Sequence, residues 1–214
     1  QPSDPDILII DDNSPDGTSE EIKKLQNNFN NLFLIERSGK LGLDSAHKEA
    51  YEFALKNNYD LLITMDADLS HDPNELGNFI EKLDEFPVVL GSRYISGGQC
   101  LMEGRRLMLS KYGNLIIKFV FQVDCNEFTT SYRGFNLKKL NNFHLNLIKT
   151  KGYSFFMGTI YELYKRKFDM KEIPITFKDR ERGKSKIPKI EIIKTLKNLI
   201  IFTLRLKWSY GLPQ

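Results

Sequence analysis

Two aspartates one residue apart, Asp66 and Asp68, stand where the apolar run Leu61–Met65 gives way to Ala-Asp-Leu-Ser-His-Asp-Pro. Hard divalent cations, Mg²⁺ or Mn²⁺, take oxygen ligands and keep positions for substrate phosphates. One or two carboxylates therefore suffice when a nucleoside diphosphate supplies the remaining oxygens. The spacing alone carries little, because Asp4-Pro5-Asp6 repeats it in the same chain. Placement carries more: Asp72 is a natural N-cap and Pro73 a natural first helical residue. Buried strand, acidic loop, helix is the order in which open α/β sheets present metal and nucleotide sites.

A second acidic loop, Asp11-Asp12-Asn13-Ser14, follows the apolar run Ile7–Ile10. Each of its residues is a good turn former, and a carboxylate there can equally accept hydrogen bonds from a base or ribose. Both readings stay open on spacing alone. Basic residues recur in the second half wherever a loop is expected: Arg93, Arg105, Arg106, Arg133, Arg180, Arg182 and Lys186. Such runs are commonly solvated faces. Arg93, however, directly follows a core-strand run, and Arg133 sits inside the otherwise uncharged Phe-Thr-Thr-Ser-Tyr-Arg-Gly-Phe. Guanidinium forks bind phosphates bidentately, so several of them facing two carboxylates suit a metal-bridged diphosphate plus a second anion. His47, His71 and His144 are isolated, His71 reading as a loop residue rather than a base. No Ser-His-Asp arrangement or zinc cluster is apparent, and no G-x-G-x-x-G follows a strand, which disfavours a dinucleotide oxidoreductase.

The elements that must position these groups follow from periodicity. Strands are expected at Ile7–Ile10, Leu32–Ile35, Tyr59–Met65, Val88–Gly91, Gly134–Leu137 and Met170–Phe177. Helices are expected after Thr18 or Asp16 (with Ile22, Leu25 and Phe29 inward), after Gly42 (Ala46, Ala50, Phe53, Ala54) and after Pro73. Further helices are expected over Arg105–Phe121 and Tyr153–Lys167. The alternation indicates a doubly wound, mostly parallel sheet flanked by helices, with both acidic loops at its C-terminal edge. The last helix, Lys189–Trp208, carries an apolar stripe and basic residues largely off it. It reads either as a domain-closing helix or as an interfacial one.

At 214 residues, 41% hydrophobic and 28% charged, the chain is an ordinary globular protein able to bury a core. A net charge of +3 does not imply a nucleic-acid partner. Residues Lys178–Lys189 nonetheless hold six basic and two acidic side chains. Cys100 and Cys125 suit a reducing compartment and show neither disulfide nor metal spacing. No signal-peptide pattern opens the sequence, and no run of about 18 apolar residues occurs.

As a set, several strings resemble the family 2 glycosyltransferases of the GT-A fold, nearest to the dolichyl-phosphate (polyprenyl-phosphate) mannose synthases. They are I-I-D-D-N-S-P-D-G-T at 9–18, G-K-L-G-L at 39–43, M-D-A-D-L-S-H-D-P at 65–73 and G-S-R-Y-I-S-G-G at 91–98. R-R-L-M-L-S-K-Y-G-N at 105–114, T-T-S-Y-R-G-F at 129–135, K-G-Y-S-F at 151–155 and F-K-D-R-E-R-G-K-S-K at 177–186 complete the series. The resemblance implies a catalytic domain over 1–186 and an amphipathic, membrane-interfacial helix over 187–214. It places Asp12 at the nucleotide base with Asp11 beside it, Lys40 at the donor, and Asp66 and Asp68 at the metal and diphosphate. Arg93, Arg106, Arg133, Arg180 and Lys186 would hold donor and acceptor phosphates, with Ser110 near the lipid phosphate. Asp68, Arg93, Arg133 and Arg180 would carry catalysis. The implied reaction moves mannose from GDP-mannose to dolichyl or polyprenyl monophosphate with inversion. UDP-glucose as donor, or a non-catalytic nucleotide-sugar-binding subunit, are the alternatives. The expected place is the cytoplasmic face of a membrane, endoplasmic reticulum or plasma membrane, with small membrane-anchoring subunits as possible partners. Three departures stand out. The family's P-x-Y-N-E-type first strand is absent, Asp44 follows Leu43 where glycine is common, and there is no multi-span tail.

Overall fold

The computed structural model describes residues 4–178. Two five-residue strands open the chain, β1 (Ile7–Asp11) and β2 (Leu32–Glu36), paired in parallel through α1 (Thr18–Gln26). Then follow α2 (Leu43–Lys56), β3 (Leu61–Thr64), a 3₁₀ turn at Pro73–Glu75, α3 (Leu76–Glu85) and β4 (Val88–Ser92). The second half contains β5 (Gln99–Cys100), α4 (Gly104–Phe121), β6 (Arg133–Asn136), α5 (Tyr153–Lys165), β7 (Met170–Pro174) and β8 (Thr176–Phe177).

The main sheet runs β3-β6-β4-β7. Its centre is β4, buried along its whole length: Val88 and Leu90 enter a core beneath α2, α4 and α5, and Val89 enters a second core beneath α3. That two-residue alternation between two apolar layers makes Val-Val-Leu read as an unbroken hydrophobic run. The doubly wound expectation holds with one correction, since β6 lies antiparallel to both β3 and β4, whereas β7 is parallel to β4. The reason is the route. β6 enters from the 122–132 loop, on the edge where β3 and β4 end, so it must run back against them.

The ribbon β1–β2 shares no described ladder with β3. It is held instead through α2, whose Phe53 ring lies 5.8 Å from Phe33 and stacks 6.1 Å from Tyr59. A hydrogen bond from the Tyr59 hydroxyl to Asp6 adds to this tie. Ile7–Ile10 was expected to be a buried strand, yet only Asp11 of β1 is buried, because one of the strand's edges lacks a described partner. Leu25 and Phe29 likewise stay exposed, since α1 ends at Gln26 and only Ile22 of its expected face goes inward. The expected strand over Met170–Phe177 divides at Ile175, which turns into the core while β8 pairs with β5. The terminal helix, its domain boundary, Arg180, Arg182 and Lys186 lie outside the described residues.

Candidate active site

The acidic loop is fastened on three sides. The Thr64 hydroxyl, at the end of β3, donates to the Ser131 carbonyl at 2.7 Å, and the Ser131 hydroxyl donates to Asp66 Oδ1 at 2.7 Å. The Asp66 amide donates to His71 Nδ1 at 3.0 Å, which leaves the imidazole proton on Nε2. Burial between Tyr132 and Phe177 lowers the His71 pKa, against the pull of the Asp66 charge. His71 is thus a neutral acceptor that orients the loop, a positioning role its isolation in the sequence did not disclose. Asp68 turns on itself: its Oδ1 accepts from the Ser70 amide at 3.1 Å and the Ser70 hydroxyl at 2.5 Å. Leu69 between them has φ +63° and an exposed side chain. Asp72 caps the following turn through Asn74, with Pro73 in its first turn, as the sequence indicates.

The first acidic loop divides its two carboxylates by role. Asp11 is buried, and its Oδ2 accepts from the Ser14 amide at 2.9 Å and the Ser19 hydroxyl at 2.8 Å. The Ser14 bonds hold its carboxyl below the usual range. This is the turn-forming alternative. Asp12, more open, is ion-paired to Arg37. Arg37 is buried at the end of β2 and also donates to the Ser45 hydroxyl at 2.6 Å, which ties this loop to the start of α2. Arg37 escaped the reading of the sequence, although the signal that singled out Arg93, an arginine just after an apolar strand, applies to it equally. Lys40 is exposed on the turn between them. Asp44, the departure from glycine, is buried and accepts from the Gly152 amide at 2.9 Å, so it pins the start of α5.

The arginines separate into inward and outward groups. Arg93 forks onto Glu127 at 2.6 and 2.8 Å, adds Thr129 Oγ1 at 3.0 Å, and lies 4.9 Å from the Phe177 ring centroid. Burial opposes the charge on both partners, and their pairing overrides it, raising the Arg93 pKa and lowering that of Glu127. Arg133 corrects an expectation. It is 1% exposed and donates to the carbonyls of Thr130, Phe156 and Phe128 at 2.8, 3.0 and 3.1 Å. Its fork is consumed by main chain and cannot face a phosphate, and burial pulls its pKa down to about 10. Arg106 is exposed near the start of α4. One turn on, the Ser110 hydroxyl accepts from the Tyr94 hydroxyl at 2.7 Å, which joins α4 to the segment after β4.

His71 is where the second acidic loop and the Arg93 pair meet: Asp66, Asp68, Arg93 and Glu127 all act on its charge. The last described residue closes this cluster, for the Lys178 amide donates to the Ser70 carbonyl at 3.1 Å. Lys178 is the first of the six basic residues of Lys178–Lys189. Among the described residues no three acidic, histidine or cysteine side chains form a metal cage. The oxygen donors of Asp66 and Asp68 fit instead a hard cation whose other positions go to phosphate oxygens. Cys100 and Cys125 are free thiols, and burial pushes the Cys125 pKa up.

Residues 1–143 match the sequence profile of the Glycosyl transferase family 2. The polyprenol monophosphomannose synthase of Mycolicibacterium smegmatis is 34% identical over 184 residues, 85% of this chain and 69% of that protein. The undecaprenyl-phosphate mannosyltransferase of Micrococcus luteus is 30% identical over 205 residues, 95% of this chain and 84% of the relative. Among solved structures, glucosyl-3-phosphoglycerate synthase of Mycobacterium tuberculosis superposes with a TM-score of 0.60 at 14% identity. The match covers 97% of this chain and 69% of that one, in a complex with Mn²⁺, UDP and glucosyl-3-phosphoglycerate. Another structure of that enzyme, holding Mg²⁺ and UDP, also gives 0.60. Profile, relatives and architecture agree: the chain has the GT-A fold and belongs to the glycosyltransferases of family 2.

Proposed function

We propose that this chain is a polyprenyl-phosphate mannosyltransferase that takes mannose from GDP-mannose. Two relatives at 30% identity or above, named for polyprenol or undecaprenyl-phosphate mannose transfer, support the acceptor class and the sugar. The observation that carries the reading is the joining of the acidic loop to the basic stretch by the Lys178–Ser70 hydrogen bond. Lys178, the first of the six basic residues in Lys178–Lys189, is thereby joined to the loop that bears Asp66 and Asp68. A donor diphosphate and a lipid phosphate are both anions, and they must approach each other at one place.

Asp66 and Asp68 would hold Mg²⁺ or Mn²⁺, which neutralises the departing diphosphate when bound. The acceptor phosphate oxygen attacks the anomeric carbon as the bond to the GDP oxygen breaks, and GDP leaves with the bonding electron pair. The attacking oxygen is already ionised near neutral pH. A site without an activated base is therefore adequate, and His71, kept neutral and occupied, is not needed as one. Positioning and countercharge do the rest. Asp12, Lys40, Arg93, Arg106, Ser110, Arg180 and Lys186 remain the proposed donor and acceptor contacts, with Arg93 acting while paired to Glu127. The expected setting is peripheral, on the cytoplasmic face of a membrane, with residues 187–214 as the interfacial helix and small anchoring subunits as candidate partners.

Radiolabelled mannose transfer to polyprenyl phosphate tests this. Asp68→Asn is expected to lower the rate by about 100-fold or more, and a chelator to do the same reversibly. Transfer that survives both would remove the metal role. Label transferred from UDP-glucose in preference to GDP-mannose would overturn the donor assignment.

A further inference from the structure

We infer that Ser131 is a positioning residue for the cation site: its hydroxyl claims one oxygen of Asp66 and leaves the other for the metal. This rests on the reading of Asp66 and Asp68 as metal ligands. The reversed direction of β6 is what brings the two residues together. Thr64, which ends β3, pairs with Arg133, which begins β6, in an antiparallel ladder. Continuing that register two residues past the last pair sets Asp66 opposite Ser131. Directly opposed residues of antiparallel strands touch through their side chains. Two hydrogen bonds result, from the Thr64 hydroxyl to the Ser131 carbonyl and from the Ser131 hydroxyl to Asp66 Oδ1, each 2.7 Å. A parallel β6 would bring the chain after Asn136 to this edge instead.

Ser131 is buried, and the segment around it is fastened on both sides. Arg133 holds the carbonyls of Phe128 and Thr130, and the Gly91 amide donates to the Tyr132 carbonyl at 3.0 Å. The Tyr132 ring stacks 4.3 Å from Phe79, and its hydroxyl donates to the Asp72 carbonyl at 3.0 Å. The buried guanidinium of Arg133, which faces no phosphate, thus stiffens the segment that presents Ser131. A serine hydroxyl has one proton to give, and here Asp66 Oδ1 receives it. Among the described residues, none donates to Asp66 Oδ2. Asp68 makes the same division, its Oδ1 accepting from the Ser70 amide and hydroxyl. Each aspartate therefore commits Oδ1 to a serine. A carboxylate held to a single ligating oxygen suits the exacting shell of a small hard cation such as Mg²⁺. Fixing it before the cation arrives removes part of the ordering cost of binding. Partners that orient a ligand in this way govern metal affinity by about 10–100-fold.

The test needs no transfer assay. Mn²⁺ is titrated into the full chain, with and without GDP, and read by the water-proton relaxation that protein-bound Mn²⁺ enhances. Mn²⁺ with GDP alone supplies the blank. Ser131→Ala is expected to weaken Mn²⁺ binding by about tenfold or more, and Ser131→Thr, which keeps the hydroxyl, to restore it. Thermal unfolding without metal separates positioning from support of the fold. The midpoint of Ser131→Ala is expected close to the parent's, because the main-chain carbonyl that Thr64 uses remains. A lowered midpoint with parent-like Mn²⁺ affinity makes Ser131 a structural residue only and overturns the proposal. No recovery in Ser131→Thr overturns it too. Should Ser131→Ala fold poorly, Ser131→Cys repeats the reading with a weak donor of similar size, and parent-like affinity there is equally fatal. A parent chain that binds no Mn²⁺ under either condition is a different failure: it removes the metal reading of Asp66 and Asp68, and this role with it.

Discussion

Arg93 and Glu127 form a pair whose partners are 34 positions apart in the chain and both buried. Neither charge is tolerable without the other. Glu127→Gln is expected to cost about 3–5 kcal/mol, because a guanidinium is left buried without its countercharge. Urea unfolding would measure it, and Arg93→Met with Glu127→Leu should recover most of the loss. An unfolding midpoint unchanged in Glu127→Gln would show that Arg93 finds water or another anion. At this scale the sequence was half legible. The strand-end aspartates and the Asp72 cap can be read from local spacing, because each acts within a few residues of itself, whereas spacing left the role of Asp11 open. Whether an arginine faces in or out cannot be read this way. Arg133 is consumed by carbonyls at 128, 130 and 156, while Arg93 is paired with a glutamate that the Phe-Thr-Thr-Ser-Tyr stretch does not include. Tertiary partners settle direction, and one sequence does not display them.

Among the elements, the segment joining β4 to β5 is the most tightly constrained near the site. Gly97 has φ +85°, and Gly98 folds back so closely that a Cβ there would lie 2.5 Å from the Ser92 carbonyl oxygen and 3.0 Å from the Arg93 carbonyl carbon. Both obstacles are backbone and neither can rotate away. Gly98→Ala is therefore expected to destabilise the fold by about 1–3 kcal/mol, as overpacking does, and to lower transfer by displacing Arg93. A thermal midpoint and rate equal to the parent's would show that the loop can swing free. The order of strands and helices was legible because apolar runs and helical spacing alternate cleanly up to Gly91. The reversed direction of β6 was not, since strand patterning is the same in either direction.

On the scale of the whole molecule, the feature with the widest consequence is the separation of the β1–β2 ribbon from the four-stranded sheet. Ladder hydrogen bonds spread cooperativity between strands, and among the described residues none joins β1 to β3. The ribbon depends on α2, on the Phe33–Phe53 contact and on the hydrogen bond between Tyr59 and Asp6. The protein should accordingly open in two steps rather than one. Native-state hydrogen exchange is expected to release the amides of Ile7–Asp11 and Leu32–Glu36 well before those of Val88–Ser92; uniform protection would contradict this. Asp12 and Arg37 ride on the unit that opens first. A nucleotide that engages Asp12 would then raise protection across the whole ribbon by mass action. Donor binding would so be measurable as local folding, and its affinity would carry the entropic cost of closing that unit.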